Sequence, residues 1–434
     1  MKKIIAVLFA AVALTMMLSI AASAETTAVG EGWETAVYDG TTLSNGTYSL
    51  TVTITENNFS VSKFALTDGI SPDSVKKLVI PSSFTYDGVT YTCTKIDSAL
   101  VDANASVTEI FIPASVTSVS TSAFNNCASL QAFTVEEGNT VYSDEDGVLF
   151  SSGGKTLFRY PAGKEGASYE VALNVTSLAS NCFYGNQKLE TITFAEGSKV
   201  SYNNDSTRQI FQNAIALKNI KLPDGYKVIQ KSSFGGCSSL ESITLSPNTT
   251  QISSFAFSNC VSLKSIDIPA SIKTIQGNAF QGCSGLEEIV FRRSDAPEIG
   301  KASFSGISDN VVIYYPQDSA AYTYETFASV NSGVPETALI VPYGGYITDM
   351  SETGNITTVT YTAKDVNNNV QVSAIIALYD EDGAMIAAKV ITNLDGKGFV
   401  EFNAAGAAKS KIFMWDSVNA VKPLYKSMEY TPMQ

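Results

Sequence analysis

Three consecutive segments of this chain align without a gap at a spacing of 23 residues. Ile220-Lys221-Leu222-Pro223 leads to Phe234, Cys237 and Leu240. Ile243-Thr244-Leu245 leads to Phe257, Cys260 and Leu263, and Ile266-Asp267-Ile268-Pro269 leads to Phe280, Cys283 and Leu286. Ile289 opens the next copy. An earlier copy runs from Ile110-Phe111-Ile112-Pro113 through Phe124, Cys127 and Leu130 to Phe133. Weaker copies begin at Leu78-Val79-Ile80-Pro81, Val175 and Ile192, giving about nine turns, above the roughly three that a stable stack needs.

The unit has a direct physical reading. Ile-x-Ile is a short alternating stretch, so both Ile side chains point inward and the middle one points out. Proline after it removes a backbone donor and ends the strand. Phe, Cys and Leu recur at intervals of three, which suits a tight helical or irregular turn. One unit cannot bury its apolar face alone, and stacking on its neighbours does so. Residues 133–170 break the period, and Asp146-Gly147 there is a tight-turn signal between β-prone flanks. This predicts a β-rich insertion that stays in the stack.

The consensus Ile-x-Ile-Pro…Ala-Phe-x-x-Cys-x-x-Leu, fullest from Ile266 through Ala279-Phe280 to Cys283, is similar to the BspA-like, treponemal-type leucine-rich repeat of bacterial surface proteins. Asp146 to Leu149 with Tyr160-Pro161, and Val312-Ile313-Tyr314-Tyr315-Pro316, also resemble that family. The resemblance covers about residues 76–340. It implies a mainly β chain of the leucine-rich-repeat class, a right-handed solenoid, with surface exposure and protein or matrix binding in some members. The consensus is structural, so no ligand-binding residue carries over from it.

The period stops near residue 341. Residues 341–434 show alternating stretches at 356–362, 370–379, 385–391, 399–402 and 412–415, with Asp382-Gly383 and Asp395-Gly396 as turns. A small antiparallel β-sandwich is expected there. Its ending, Phe413 to Ser417 with Pro423-Leu424, resembles a module of exported clostridial-type proteins. Residues 25–75 are expected to form a β-rich cap, with a strand pair at 46–55. Residues 1–24 read as an export signal: Lys2 and Lys3, an apolar run from Ile4 to Ile20, then Ala22-Ser23-Ala24. A secreted or cell-surface bacterial protein is expected, with no membrane insertion once the signal is removed.

Charge and composition narrow the function. Without residues 1–24 the chain carries 26 basic and 42 acidic groups, a net −16. That field repels nucleic acid and anionic membrane. The chain holds no histidine, which excludes Ser-His-Asp, Cys-His and HExxH chemistry. Paired carboxylates could still act, so a carboxylate-dependent glycan hydrolase is one alternative, but no spacing marks a pair. Asp144-Glu145-Asp146-Gly147 and Asp380-Glu381-Asp382-Gly383 lack the calcium-loop spacing and read as turns, so no metal or other cofactor is expected.

Non-catalytic binding of an extracellular protein or glycan is expected on the outward strand positions. These are Phe111, Thr193, Lys221, Thr244, Asp267 and Val290, with Glu109, Thr191, Asn219, Ser242, Ser265 and Glu288 two residues before each. Most are small and polar, as an inert solvated face would also be. Phe111 and Val290 are read as exposed apolar anchors. A passive spacer displaying the C-terminal module is the competing reading.

Four of the six cysteines, Cys127, Cys237, Cys260 and Cys283, share one repeat position. Adjacent turns stack at about 4.8 Å, while a disulfide wants Cβ atoms about 3.5–4.5 Å apart. A buried thiol ladder, with S–H groups on backbone carbonyls, is therefore expected rather than three disulfides. Thiol titration of the denatured, unreduced protein should return all six; any lower count refutes the ladder.

Overall fold

In-register pairing between successive turns builds most of the molecule. The computed structural model describes residues 33, 36–101, 106–125, 127–151, 153–201, 209–316, 319–342, 344–364, 373–392, 396–415 and 428–430. The predicted export signal, and the part of the C-terminal signature beyond Trp415, lie outside these residues. The chain forms two compact units. The first gathers the chain up to Lys264 with Lys273–Gly285 and Glu298–Ile307; the second gathers Ser265–Ile272, Leu286–Pro297 and the chain from Ser308 onward.

The first unit opens with a mixed sheet in the order Val37–Tyr38, Thr42–Ser44, Tyr48–Thr55, Asn58–Leu66, Val89–Ile96, Ser83–Tyr86. The sheet thus runs past residue 75, where the sequence suggested that the cap ends. Asn58–Leu66 pairs parallel with Val89–Ile96, which also pairs with Ser118–Val119 of the first full repeat. Fully buried Trp33 donates its indole N–H to the Val79 carbonyl at 2.9 Å.

The repeats follow as parallel ladders. One joins Ser168–Val171, Thr191–Phe194, Asn219–Lys221 and Ser242–Thr244; another joins Val228–Ile229, Gln251–Ile252, Thr274–Ile275 and Glu298–Ile299. The solenoid has about ten turns. Ile192, Ile220 and Ile243 point inward and are buried, as the alternation demands. The Phe-x-x-Cys-x-x-Leu stretch is a run of tight turns: the Cys237 N–H donates to Phe234 O and the Leu240 N–H to Cys237 O. These i to i+3 bonds explain the three-residue interval.

That geometry superposes one phenylalanine per turn. Phe183, Phe211, Phe234, Phe257, Phe280 and Phe304 stack with centroids 4.8–5.4 Å apart and planes within 11° of parallel. Two residues beyond each Phe the backbone is left-handed, as at Asn213 (φ 58°), Gly236 (φ 76°), Asn259 (φ 59°) and Gly282 (φ 74°). Asn and Gly are the residues that tolerate this region. At Gly282 glycine is also needed for room, since a Cβ would lie 2.4 Å from Asn259 Oδ1.

The segment that breaks the period is built from short strands. Tyr142–Glu145, Val148–Ser151 and Thr156–Arg159 form an antiparallel meander, with Asp146 and Gly147 both at positive φ in the turn. Thr156–Arg159 then pairs parallel with Ser177–Leu178, so the meander rejoins the stack. The joint is made by Arg159, which is 1% exposed. Its guanidinium donates to Phe124 O at 2.7 Å on one side, and to Tyr184 O at 3.0 Å and Asn181 O on the other. In the regular turns Cys237 Sγ fills the equivalent role, donating to Phe211 O at 3.1 Å.

In the second unit Ser265–Ile268, Glu288–Phe291, Val312–Tyr315 and Leu339–Pro342 form a parallel ladder. Two antiparallel sheets follow. One orders Gly344–Thr353, Ile356–Lys364 and Gly396–Phe402; the other orders Met385–Thr392, Ser373–Tyr379, Lys409–Trp415 and Met428–Tyr430. They share a core of Ile347, Val359, Ile376, Leu378, Phe402 and Ile412, the sandwich expected from the alternation. Strands Gly344–Thr353 and Met428–Tyr430 were not foreseen.

Phe257 has a stacked neighbour on both sides, so Phe257→Ala should cost about 3–5 kcal/mol in denaturant unfolding. A loss below about 1 kcal/mol would show that the spine does not hold the turns together.

Candidate functional site

The outward strand positions fall on three ladders with different surroundings. The first is formed by Lys77–Val79, Glu109–Ile112 and Ala132–Val135. Glu109 is tied down there: its carboxylate meets Lys77 Nζ at 3.1 Å and accepts from Thr134 Oγ1 at 2.9 Å. Phe111 is half-buried, with the Lys77 ammonium 5.9 Å from its ring centroid. It is thus not the open apolar anchor that the sequence suggested, because a lysine from the neighbouring strand covers its ring face.

The second ladder carries Thr191, Thr193, Asn219, Lys221, Ser242 and Thr244. Thr191 faces Asn219, Asn219 faces Ser242, and Lys221 faces Thr244 in parallel register. All but half-buried Thr191 are exposed. Ser242 Oγ and Asn219 Oδ1 are 2.6 Å apart, so one rung orients the next. Strand Ser168–Val171 extends the face by exposed Ser168 and Glu170, which pair with Thr191 and Thr193. These two were missed because they sit where the period is broken; the alternation in Ser168-Tyr169-Glu170-Val171 was the available signal.

The third ladder lies in the second unit and carries Ser265, Asp267, Glu288 and Val290. Exposed Asp267 is held by a bidentate pair with Arg292, at 2.6–3.1 Å. Ser265 and Glu288 are half-buried. Val290 is 3% exposed and packs in a closed cluster with Val312, Tyr314 and Val341. The expectation of an exposed Val290 is therefore corrected. The signal was present: Val312-Ile313-Tyr314-Tyr315 and Leu339-Ile340-Val341 are apolar without alternation, which marks strands buried on both faces.

No group of three or more potential metal-ligating side chains gathers among the described residues. No described helix is long and apolar enough to cross a membrane. All six cysteines are buried thiols outside any disulfide. Cys237, Cys260 and Cys283 donate to the carbonyls of Phe211, Phe234 and Phe257 at 3.0–3.1 Å, which is the expected ladder. Burial pushes the thiols of Cys93, Cys127 and Cys237 up to about 12 and holds Cys260 well above its ordinary value. These thiols are core groups and not nucleophiles.

With the geometry in place, the kinship is decided by the signature of the BspA type leucine-rich repeat region, which matches in six copies over residues 42–146, 165–206 and 204–332. The chain belongs to the BspA-type leucine-rich-repeat family. Among solved structures, this BspA-type chain is similar to a leucine-rich repeat protein of Eubacterium ventriosum, with 19% identity over 62% of this chain and 93% of that one and a TM-score of 0.38. A leucine-rich repeat protein of Bacteroides ovatus matches with 20% identity over 68% and 98%, TM-score 0.33. A leucine-rich cell surface protein of Faecalibacterium prausnitzii matches with 17% identity over 71% and 95%, TM-score 0.31. No curated protein matches the chain.

The raised thiols give the pH dependence a sign. In the folded chain they stay protonated up to about 12, against an ordinary 9.0, so their contribution is complete below pH 9. It is lost as pH rises from about 9 toward 12. Unfolding midpoints in urea should fall through that window, and replacing Cys237 by Ala should flatten the fall. A midpoint constant up to pH 12 would contradict the burial of these groups.

Proposed function

We propose that this chain is an exported bacterial surface protein whose solenoid binds an extracellular protein or glycan without catalysing a reaction. The observation that supports this most directly is the polar face of Thr191–Phe194, Asn219–Lys221 and Ser242–Thr244. It presents hydroxyl, amide and ammonium groups in fixed register, one set per turn, on a backbone held rigid by the ladder. A pre-ordered array loses little conformational freedom on binding. Elsewhere the outward charges Glu109 and Asp267 are already engaged by Lys77 and Arg292. Thr193, Asn219, Lys221 and Thr244 are the proposed contact residues, in place of half-buried Phe111 and buried Val290.

The F. prausnitzii relative is named a cell surface protein, in keeping with the same placement for this chain. Missing histidine and a scaffold built almost wholly of core positions weigh against an enzyme.

A binding screen of the folded protein against matrix proteins and mucin tests the reading. At least one ligand should bind, and Lys221→Glu with Thr244→Asp should weaken it about tenfold or more. No ligand, or binding indifferent to both changes, leaves a spacer that displays its C-terminal module.

A further inference from the structure

The N-terminal sheet carries a second feature that the repeat does not require. Its two ends in strand order are Val37–Tyr38 and Ser83–Tyr86, yet their aromatic rings touch. Tyr38 lies 5.1 Å from Phe84 and 5.2 Å from Tyr86, centroid to centroid. Phe84 stacks on Tyr91 at 5.3 Å and meets Phe59 at 5.0 Å. The sheet therefore curls until its edges meet. Phe84, only 2% exposed, is the floor of the joint. Tyr38, Tyr86 and Tyr91 rise around it and stay partly exposed.

The hairpin that presents them is stiff. Asp87 and Gly88 both take positive φ, 52° and 75°, in the two-residue turn between Tyr86 and Val89. Thr85 and Thr90 bond across its other face at 3.0 Å. Val89, 41% exposed, and exposed Asp87 complete the rim. Beside Tyr38, Asp39 is fixed by the backbone N–H groups of Thr41 and Thr42. The cluster ends in three partly exposed tyrosines, each with a ring and a phenol, beside carboxylates.

We propose that Tyr38, Tyr86 and Tyr91, with Asp87 on the rim, form a binding platform for a neutral oligosaccharide. The electron-rich ring face attracts the weakly positive C–H groups on one side of a pyranose. Phenols and the Asp87 carboxylate then meet its hydroxyls. Burial, with Asp39 beside Tyr38 and Asp87 beside Tyr86, raises both phenols above their ordinary value, so both stay protonated. The Tyr38 hydroxyl donates to the Gly40 carbonyl at 2.8 Å, so it meets a sugar hydroxyl as an acceptor. The acidic chain, net −14, repels uronate and sulfate sugars, which restricts the ligand to uncharged ones. Hairpin and floor are fixed beforehand, so little ordering accompanies binding. The platform is separate from the polar strand face, so it stands or falls without the binding reading proposed for that face.

Titration calorimetry of the full chain with neutral hexasaccharides (gluco-, xylo-, manno- and N-acetylglucosamine-based) tests the platform, with heparin and polygalacturonate as anionic controls. At least one neutral sugar should bind. Tyr86→Ala should weaken it about tenfold, while Tyr86→Phe, which keeps the ring, should stay within about threefold. Glu381→Gln, in an exposed turn of the C-terminal sheets, should leave it unchanged. Should Tyr86→Ala fail to fold, nitration of the wild-type tyrosines decides instead: the bound sugar should protect Tyr86 and Tyr91. No neutral sugar binding, tighter binding of an anionic one, or no effect at Tyr86 by either readout would overturn the proposal.

Discussion

The parallel, in-register pairing of successive turns is the constraint on which the structure depends. It sets identical positions of neighbouring repeats one strand spacing apart, about 4.8 Å. Whatever residue occupies a position must then tolerate a near-copy of itself above and below. Phenylalanine does so by stacking, with planes only 3–11° from parallel from Phe183 to Phe304. Cysteine does so by donating an S–H hydrogen bond to a carbonyl of the preceding turn. Asparagine and glycine do so by accepting left-handed backbone at the same place in each turn. Charges do so least well, and on the first ladder Lys77 beside Glu109 shows the remedy of opposite signs on neighbouring rungs.

Arg159 shows what happens where the repeat is interrupted. The meander of residues 142–159 displaces the usual cysteine, and the carbonyl of Phe124 would be left without a donor in a dry interior. A buried unpaired carbonyl costs about 1–3 kcal/mol. Arg159 reaches across to Phe124, Asn181 and Tyr184, so one side chain satisfies three carbonyls of two turns. It has no carboxylate partner among its described contacts, and burial lowers it to about 10, still cationic at neutral pH. The insertion is thereby spliced into the spine instead of looping out of it.

The same regularity bears on function. Inward positions are dictated by packing, so they say nothing about a ligand. Outward positions are free to vary, and they do: a covered Phe111 and an engaged Glu109 on one ladder, an open polar array on the next, a closed apolar cluster around Val290 in the second unit. The open array and the tyrosine rim of the N-terminal sheet are the places where polar chemistry stays displayed at the surface.

The sequence alone determined the repeat, its 23-residue spacing, the thiol ladder and the C-terminal sandwich. The repeat, its spacing and the thiol ladder are one local pattern multiplied by copying, and the strands of the sandwich are local alternation, so period and alternation reveal them directly. Only the tertiary structure decided which outward residues are open. Lys77 over Phe111, Arg292 on Asp267 and the burial of Val290 among Val312, Tyr314 and Val341 depend on neighbours 22 to 51 residues away along the chain. Only it, too, brought Tyr38 against Tyr86, since the curl of a sheet until its edges meet leaves no mark in the spacing of either strand.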